Sequence, residues 1–297
     1  MVMVVYIIYA MVIILFIALL VYLTVSLRQE PTSAMDSIID ANGESKNSVG
    51  QINNESDNIT NEGIIFNGNF PFPIYIINLD RKPERFIYVK EQLDKMGITN
   101  YERISAVDGF NLTQKELEDF GLTPELSERK GIAGCAASHI KIWKHIAENK
   151  LGWCLILEDD AHFHPDFLKL FEKYWVNVPK NAKIIYPGYC ANKEVEESSK
   201  SVIEKGVMCT QAYMLSSDGA QYLLNNVFPL ENPIDITILT HFNNNFGSYI
   251  FNGNISMDGI RPNDYKESNG RRCMFNGIIY QNHEEQGSTI HGPETVY

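Results

Sequence analysis

The chain has 297 residues, of which 44% are hydrophobic, and its formal net charge is −12. A chain of this length can bury enough apolar surface for one catalytic domain. The acidic balance, without a stripe of clustered Lys and Arg, argues against a nucleic-acid partner, because binding to a phosphate backbone requires such a basic surface. An anionic ligand would therefore need a local cation, either a basic side chain or a metal ion.

The first 27 residues contain no charged side chain. At about 1.5 Å per helical residue they are long enough to cross a hydrocarbon core of about 30 Å, so residues 1–27 are predicted to form a transmembrane anchor. A cleaved signal peptide is the alternative, but a basic amino-terminal region and a small-residue cleavage site are missing. Arg28 on the distal flank favours keeping that flank cytoplasmic.

Residues 28–70 lose the hydrophobic periodicity and are rich in Asn, Ser, Glu and Asp, which predicts a disordered stem. N-glycosylation sequons begin at Asn54 and Asn58 in this stem, and another begins at Asn111. They matter only if this side of the membrane faces a secretory lumen, and short sequons also arise by chance. The folded domain is predicted to span residues 71–297.

The folded domain is predicted to begin with a strand and a helix. Ile74 to Leu79 is a short β-branched run typical of a strand, and Pro83 lies where the first turn of a helix accepts proline. A helix N-terminus after a buried strand offers amide groups to an anion, and Arg81 and Arg85 add donors suited to a diphosphate. Alternatively, both arginines lie on a solvated helix.

The stretch 131–165 combines a helix, a strand and an acidic triplet. Apolar residues recur at steps of three and four from Ile132 to Asn149, which predicts a helix that Gly152 ends. The continuous apolar run from Trp153 to Leu157 is typical of a parallel strand that is buried on both faces.

Three carboxylates follow this strand directly: Glu158, Asp159 and Asp160. Open α/β sheets bind ligands beyond the carboxyl ends of their strands. A hard divalent ion would relieve the repulsion among these carboxylates. Because strand side chains alternate, Glu158 and Asp160 are predicted to face the same side, with Asp159 facing away. Glu158 and Asp160 are therefore the predicted contacts to the metal ion and to the ribose. The alternative is a solvated acidic turn.

The five cysteines contain no CxxC pair, so neither a zinc site nor a disulfide framework is indicated. Cys135 and Cys154 fall on the apolar faces of their elements and are predicted to lie in the core. A bridge among Cys190, Cys209 and Cys273 stays open if the domain is luminal.

Four segments resemble glycosyltransferase family 25, which includes lipooligosaccharide and collagen galactosyltransferases: IYIINLDRKPERF, ISAVDG, GIAGCAASHIKIW and LILEDDAHF. The resemblance covers most of residues 72–290. It implies a GT-A-like α/β fold, a Rossmann-type α/β/α sandwich. It also implies Mn²⁺- or Mg²⁺-dependent transfer of a hexose, galactose or glucose, from a UDP-sugar to a hydroxyl of a glycan, a lipid-linked saccharide or hydroxylysine.

The family further implies a single-pass protein of type II, with its catalytic domain in the secretory lumen. This orientation is opposite to the one that Arg28 favours. The richness in Ile and Asn hints at an AT-rich genome, such as that of a microbe or a large virus, and in a virus the membrane would be that of the host cell or the virion.

The resemblance also assigns individual residues. The NLDR…R motif places Asn78, Leu79, Arg81 and Arg85 at the nucleotide, together with Glu158. Asp108 of AVDG either contacts the uridine or ribose or caps its own turn. The GC-x-x-SH signature expects Ser138 and His139 to position the nucleotide, and Gln281 lies on a predicted last strand that carries the family's glutamine.

An inverting transfer requires a carboxylate on the face opposite the leaving diphosphate, where it takes the proton of the acceptor. Pro233-Ile234-Asp235 resembles the family's short PxD before a helix, so Asp235 is the predicted catalytic base and Asp159 the second candidate. Alternatively, Asp235 is a helix-capping carboxylate. Two other functions stay open: a non-catalytic module that binds nucleotide sugars and a metal-dependent phosphohydrolase.

Overall fold

The computed structural model of the chain describes residues 70–191, 202–243, 247–251, 265–266 and 272–281. The predicted anchor (1–27) and residues 28–69 of the predicted stem lie outside these ranges. Phe70, assigned above to the end of the stem, is 1% exposed and packs against Phe72, Phe167 and Phe171. It is therefore part of the folded core. Within the described ranges, no helix has the length and apolarity needed to cross a membrane.

The described residues form seven helices and twelve strands. The helices are α1 (Pro83–Lys95), α2 (Gln114–Asp119), α3 (Pro124–Glu128), α4 (Lys130–Asn149), α5 (Phe167–Trp175), α6 (Ser217–Asn226) and α7 (Ile234–Asn243). The strands are β1 (Ile74–Asn78), β2 (Tyr101–Ser105), β3 (Trp153–Glu158), β4 (Ala161–Phe163), β5 (Ile184–Tyr186), β6 (Gly188–Ala191), β7 (Val202–Glu204), β8 (Ala212–Ser216), β9 (Ser248–Phe251), β10 (Tyr265–Lys266), β11 (Arg272–Gly277) and β12 (Ile279–Gln281).

Seven of these strands form one mixed sheet in the order β2-β1-β3-β8-β5-β9-β7. Strands β2, β1 and β3 are parallel, whereas β8 runs antiparallel to both of its neighbours. In the parallel part, Asn78 lies opposite Ser105 and Ile77 lies opposite Glu158. The carboxyl ends of three adjacent strands therefore meet at one edge of the sheet, where such folds bind ligands.

Helices cover both faces of the sheet because its strands are apolar on both sides. On one face, Ile77, Ile156 and Tyr213 pack in a cluster with residues of α4, α6 and α7. On the other face, residues such as Ile76 and Leu157 pack with α1 and α5. Each fully buried large apolar side chain contributes about 1.5–3 kcal/mol. The predicted α/β/α sandwich is confirmed.

Helix α4 follows its predicted pattern with a small difference at each end. It begins at Lys130, two residues before the predicted start, and ends at Asn149. Lys150 at its C-cap adopts the left-handed conformation, with φ of 49°. The predicted stop residue, Gly152, is also left-handed but lies beyond the cap, so Lys150 ends the helix.

The loop after β2 lies directly against the first turns of α4. A Cβ atom on Gly109 would lie 1.8 Å from the backbone oxygen of Lys130, and one on Gly134 would lie 2.6 Å from the backbone oxygen of Val107. Neither distance is sterically possible, so glycine is required on both sides of this contact. Ser138 adds a hydrogen bond, because its Oγ accepts from the backbone N–H of Val107 at 2.8 Å. The loop is thereby held firmly on α4.

Two small sheets complete the described fold. Strand β12 pairs antiparallel with β4, which places Gln281 opposite Ala161, and β11 joins β10 to β6. The sequence pattern from Val207 to Leu215 is typical of one continuous strand, but β8 begins only at Ala212. The backbone at Cys209 is left-handed, with φ of 71°, and this interrupts the extended conformation.

Cys190 and Cys209 form a disulfide, which is one of the pairings that the sequence left open. It joins β6 to the segment that precedes β8. Cys154 is buried, as predicted, whereas Cys135 is only partly buried. The Cys135 side chain packs against the core of the α4 face and also lines the pocket described next.

Candidate active site

A pocket lies at the carboxyl ends of β1, β2 and β3. It collects most of the residues that the sequence singled out, although they come from five separate parts of the chain. The predicted site residues that line it are Leu79, Arg81, Arg85, Asp108, Ser138, His139, Glu158, Asp159, Asp160 and Gln281. Two predicted site residues, Asn78 and Asp235, are not part of the lining.

A buried arginine holds two of the three acidic side chains together. The Nη2 atom of Arg85 lies 2.7 Å from Oδ1 of Asp159 and 3.2 Å from Oδ2 of Asp160. All three side chains are buried, with Arg85 only 4% exposed. Gln281 donates a further hydrogen bond from Nε2 to Oδ2 of Asp160 at 2.8 Å. The alternative that Arg85 is a solvated side chain was therefore wrong, whereas its role as a donor to a diphosphate stays a prediction.

The prediction that Asp159 faces away from Glu158 and Asp160 was also wrong. Strand β3 ends at Glu158, and the next two residues form a turn, so the alternation of a strand does not continue to Asp160. All three carboxylates line the pocket. Asp159 and Asp160 converge on Arg85, whereas Glu158 contacts α4.

Asn78 is hydrogen-bonded to one member of the acidic pair, Asp159. Its Nδ2 donates to Oδ2 of Asp159 at 2.7 Å and to the backbone oxygen of Lys82 at 2.8 Å. Its Oδ1 accepts from Nε of Arg103 at 2.8 Å. Since Asn78 is 1% exposed and its amide contacts these protein groups, it positions Asp159, and it does not line the pocket in which the nucleotide contact was predicted.

Arg81 and Asp108 form an ion pair at the outer side of the pocket. Nε of Arg81 lies 3.0 Å from Oδ2 of Asp108, and the Arg81 side chain is 47% exposed. Oδ1 of Asp108 accepts from the backbone N–H of Phe110 at 3.2 Å. Asp108 caps its own turn, as one interpretation predicted, and it also lines the pocket, as a contact to the uridine or ribose requires.

A chain of buried hydrogen bonds reaches Glu158 from the core. Trp143 donates from Nε1 to the hydroxyl of Tyr213 at 2.9 Å, and that hydroxyl lies 2.8 Å from Nδ1 of His139. Nε2 of His139 lies 3.3 Å from Oε1 of Glu158. The chain is satisfied when Tyr213 donates to Nδ1 and the Nε2–H of His139 donates to Glu158. His139 thus positions Glu158 and lines the pocket wall.

The environment of Glu158 keeps it ionised. Burial by itself would raise the pKa of Glu158, but the hydrogen bonds from His139 and Thr210 and the charge of Arg85 outweigh it and lower the pKa below its ordinary value. Thr210 donates from Oγ1 to Oε1 of Glu158 at 2.6 Å. Burial raises the pKa of Tyr213 well above its ordinary value, so its hydroxyl keeps its proton.

Removing the Tyr213 hydroxyl is expected to destabilise the domain. Tyr213→Phe leaves Nε1 of Trp143 and Nδ1 of His139 without this partner, and both rings are buried, so the free energy of unfolding should fall by about 2–4 kcal/mol. Urea denaturation measures the change. As a control, Tyr101→Phe removes a surface hydroxyl that donates to Asp94 and should cost less than about 1 kcal/mol. Equal losses in the two variants would contradict the buried chain.

The pKa of Asp159 is raised, in contrast to the lowered pKa of Glu158. Burial raises the pKa of Asp159 to about 6, with Asp160 and Glu158 adding to the rise and Arg85 and Asn78 opposing it. A folded-state pKa above the unfolded value stabilises the fold below the unfolded pKa, near 3.8, and this contribution is lost as the pH rises through 6.

Asp159→Asn should therefore change the pH dependence of stability. The free energy of unfolding of the wild type minus that of the variant is expected to fall by about 2–3 kcal/mol from pH 4 to pH 7. Chemical denaturation across this range measures it. The exposed Asp119→Asn makes the same charge change away from the pocket and should follow the wild type. A pH-independent difference for Asp159→Asn would contradict the raised pKa.

Asp235 lies outside the pocket lining, in the first turn of α7 and not at its N-cap. Oδ1 accepts from the backbone N–H of Ile236 at 2.8 Å and Oδ2 from that of Cys209 at 3.4 Å. Burial raises the pKa of Asp235, these amide hydrogen bonds oppose the rise, and the nearby charge of Glu158 adds to it. The carboxylate is thus near the acidic site, but the structure does not bring it into the pocket.

The sequence did not identify three residues that shape this site: Arg103, Thr210 and Tyr213. Each of them contacts a predicted site residue through its side chain. Tyr213 and Arg103 occupy ordinary strand positions, and Thr210 lies in a connecting segment, so no local pattern marks them.

The acidic residues offer the ligand type that a hard divalent ion prefers, but their pairing differs from the one predicted. Carboxylate oxygens are the ligands that Mn²⁺ and Mg²⁺ prefer. Burial is the main cause of the raised pKa of Asp159, and Asp160 and Glu158 add a repulsion that a cation would relieve. However, Asp159 and Asp160 share Arg85, whereas the prediction paired Asp160 with Glu158, which contacts His139 and Thr210.

A different group of metal-binding residue types also converges among the described residues. Ligand atoms of Cys135, His139 and Glu158 lie within 4.8 Å of one another. Both ring nitrogens of His139 already have partners, and burial raises the pKa of the Cys135 thiol well above its ordinary value. Since a thiol binds metal as a thiolate, this arrangement does not favour a zinc site.

The chain is similar to several known proteins. It is 29% identical over 158 residues to a protein named as a glycosyltransferase in Acanthamoeba polyphaga mimivirus, covering 52% of this chain and 48% of that protein. It is 29% identical over 188 residues to human procollagen galactosyltransferase 2, covering 54% and 29% of the two chains. It is 26% identical over 214 residues to the mouse inactive glycosyltransferase 25 family member 3, covering 64% and 36%.

The matched region thus spans about half or less of the length of these relatives. The profile of glycosyltransferase family 25 (LPS biosynthesis protein) matches residues 72–238, which is more than half of the chain and contains β1, α1, α4, β3 and the acidic triplet. The chain therefore belongs to glycosyltransferase family 25.

Proposed function

We propose that this chain is an inverting glycosyltransferase that moves a hexose, galactose or glucose, from a UDP-sugar to a hydroxyl group. The acceptor is a glycan, a lipid-linked saccharide or hydroxylysine. The observation that carries the proposal is the pocket at the ends of three parallel strands, in which Asp159 and Asp160 lie beside Arg85. Family membership and the relative named as a galactosyltransferase support the choice of sugar transfer and of galactose. We also assign the α/β/α sandwich to the GT-A-like type.

The negative charge of the donor's diphosphate determines which side chains we assign to it. On a chain of net charge −12, a diphosphate needs cations, and the pocket contains two arginines, Arg81 and Arg85. We assign the diphosphate to Arg81, whose side chain is 47% exposed, because Arg85 holds the acidic pair. Mn²⁺ or Mg²⁺ held by Asp159 and Asp160 would neutralise the charge that develops on the leaving diphosphate. Glu158 remains the proposed ribose contact.

The transfer needs a base for the acceptor. The hydroxyl oxygen attacks the anomeric carbon, the bond from that carbon to the diphosphate oxygen breaks, and the hydroxyl proton passes to a carboxylate. Asp235 is the proposed base because it lies in the PxD motif that resembles the family's; burial raises its pKa, and its carboxylate lies outside the pocket lining. Asp159 lines the pocket and is the alternative. Loss of the base should lower turnover and leave UDP affinity intact, whereas loss of a metal ligand should lower both.

The disulfide supports an oxidising compartment. Bridges such as Cys190–Cys209 persist in the secretory lumen and are rare in the cytosol. We propose a single-pass type II membrane protein with this domain in the lumen, or in a host-cell or virion membrane if it is viral. The sequon residue Asn111 is exposed and so accessible to glycosylation. Thiol labelling of the denatured protein from its native host should find Cys190 and Cys209 blocked, and free thiols at both would contradict the proposal.

A panel of UDP-sugars tests the function. Purified protein with Mn²⁺ should hydrolyse or transfer from one UDP-hexose well above the others, and the activity should fall on chelation of the ion. UDP binding without turnover of any donor would instead support a non-catalytic module, a possibility that the relative named as inactive favours. No binding of UDP and no turnover would refute the proposed function.

A further inference from the structure

Four large hydrophobic side chains are exposed within the described ranges, and one of them has a special location. Ile87, Phe110, Val176 and Phe228 are between 37% and 56% exposed. Single exposed hydrophobic residues are normal on protein surfaces. Phe110, however, is the most exposed of the four and alone lines the pocket. An aromatic ring at the rim of a ligand pocket has a surface available for stacking.

The backbone that carries Phe110 is held in place. Its N–H donates to Oδ1 of Asp108, and Gly109 packs against α4 so closely that no side chain fits between them. Asp108 is further bound by Arg81. The ring of Phe110 is therefore presented to solvent from a fixed loop, so little conformational entropy would be lost when a ligand contacts it.

The pocket differs in chemistry from one end to the other. At the end that follows β2, the lining includes Phe110, the small residues Ala106 and Gly109, and Asp108. The acidic pair follows β3, and β1 lies between β2 and β3, so the two ends are separated by two strand spacings, roughly 10 Å. A nucleoside diphosphate has the same division, with a planar base at one end and charged phosphates at the other.

We propose that Phe110 is a nucleobase-stacking residue that binds the uracil ring of the donor, with Asp108 beside it as a hydrogen-bond acceptor. This proposal rests on the proposed function, because it takes a UDP-sugar as the donor. Stacking on an aromatic ring tolerates any base, so Phe110 contributes affinity, and the polar groups around it provide selection.

Calorimetry with two probes tests the proposal. UDP carries both base and phosphates, whereas inorganic pyrophosphate carries only the phosphates. In the presence of Mn²⁺, Phe110→Ala should weaken UDP binding by roughly 5- to 100-fold and leave pyrophosphate binding unchanged. Phe110→Trp, which keeps an aromatic face, should bind UDP about as tightly as the wild type. Ile87→Ala, an exposed hydrophobic residue on α1 outside the pocket, is the matched control and should change neither affinity.

The possible outcomes separate this proposal from the proposed function. Unchanged UDP binding in Phe110→Ala would overturn the stacking role alone. Equal weakening of both probes would also overturn it, because it would show damage to the loop. A rise in the acceptor KM without a change in UDP affinity would assign Phe110 to the acceptor and so overturn it as well. If the wild-type protein binds neither probe, both the proposed function and the stacking role fail.

Discussion

Replacing Arg85 with methionine is expected to lower the free energy of unfolding by about 3–5 kcal/mol. The side chain of Arg85 is 4% exposed and its Nη2 contacts Asp159 and Asp160, whose side chains are 9% and 5% exposed. Methionine fills a similar volume without charge, so two buried carboxylates would face each other without their counter-charge. The cost is large because water cannot reach them to replace the guanidinium group.

Urea denaturation of the purified domain measures this cost. Arg81→Met is the matched control, because its partner Asp108 is also an aspartate but Arg81 is 47% exposed, and the loss there should not exceed about 1 kcal/mol. The penalty in Arg85→Met should also be smaller at pH 5 than at pH 8, since protonation of Asp159, whose pKa burial raises to about 6, removes one of the charges. A loss in Arg85→Met no larger than the control would show that the pair is not buried as described.

Replacing Asp160 with asparagine is expected to lower sugar transfer by about 100-fold or more and to weaken Mn²⁺-dependent UDP binding. The substitution removes a charge and keeps the shape. Arg85 keeps its contact with Asp159, and the new amide oxygen can still accept from Gln281, so the fold should be retained. The substitution is therefore expected to weaken ligand binding and sugar transfer without destabilising the fold.

The initial rate with the preferred UDP-sugar measures this effect, and circular dichroism checks the fold. Asp80→Asn is the control, because Asp80 pairs with Arg103 and Ser105 outside the pocket lining. Its transfer rate should stay within a few-fold of the wild type. Normal turnover in a folded Asp160→Asn variant would refute the role of the acidic pair.

Local sequence patterns were sufficient for the elements that carry the site. The β-branched run before Asn78, the three- and four-residue spacing from Ile132 to Asn149 and the apolar run before Glu158 predicted β1, α4 and β3. These patterns succeed because each element must bury a continuous apolar surface, and its periodicity appears within a few neighbouring residues. The family motifs then placed the acidic triplet and Ser138-His139 at one edge of the sheet.

The small sheets and the course of the chain after Pro187 were less predictable. Strands β6 and β7 have only four and three residues and pair with distant segments, so their hydrophobic pattern is too brief to distinguish them from loops. The disulfide is a similar case. Nothing in the spacing of Cys190, Cys209 and Cys273 selects a pair, and the folded chain brings Cys190 and Cys209 together.

By itself the sequence determined the family, the strand–helix units of the parallel half of the sheet, and which carboxylates lie at its edge. The tertiary structure alone decided how those carboxylates are held: Arg85 joins Asp159 to Asp160, Asn78 donates a hydrogen bond to Asp159, and Tyr213 orients His139 towards Glu158. The physical reason is distance along the chain. Periodicity reports contacts within a few residues, whereas the hydrogen bond from Gln281 to Asp160 joins positions 121 residues apart and exists only once the sheet has formed.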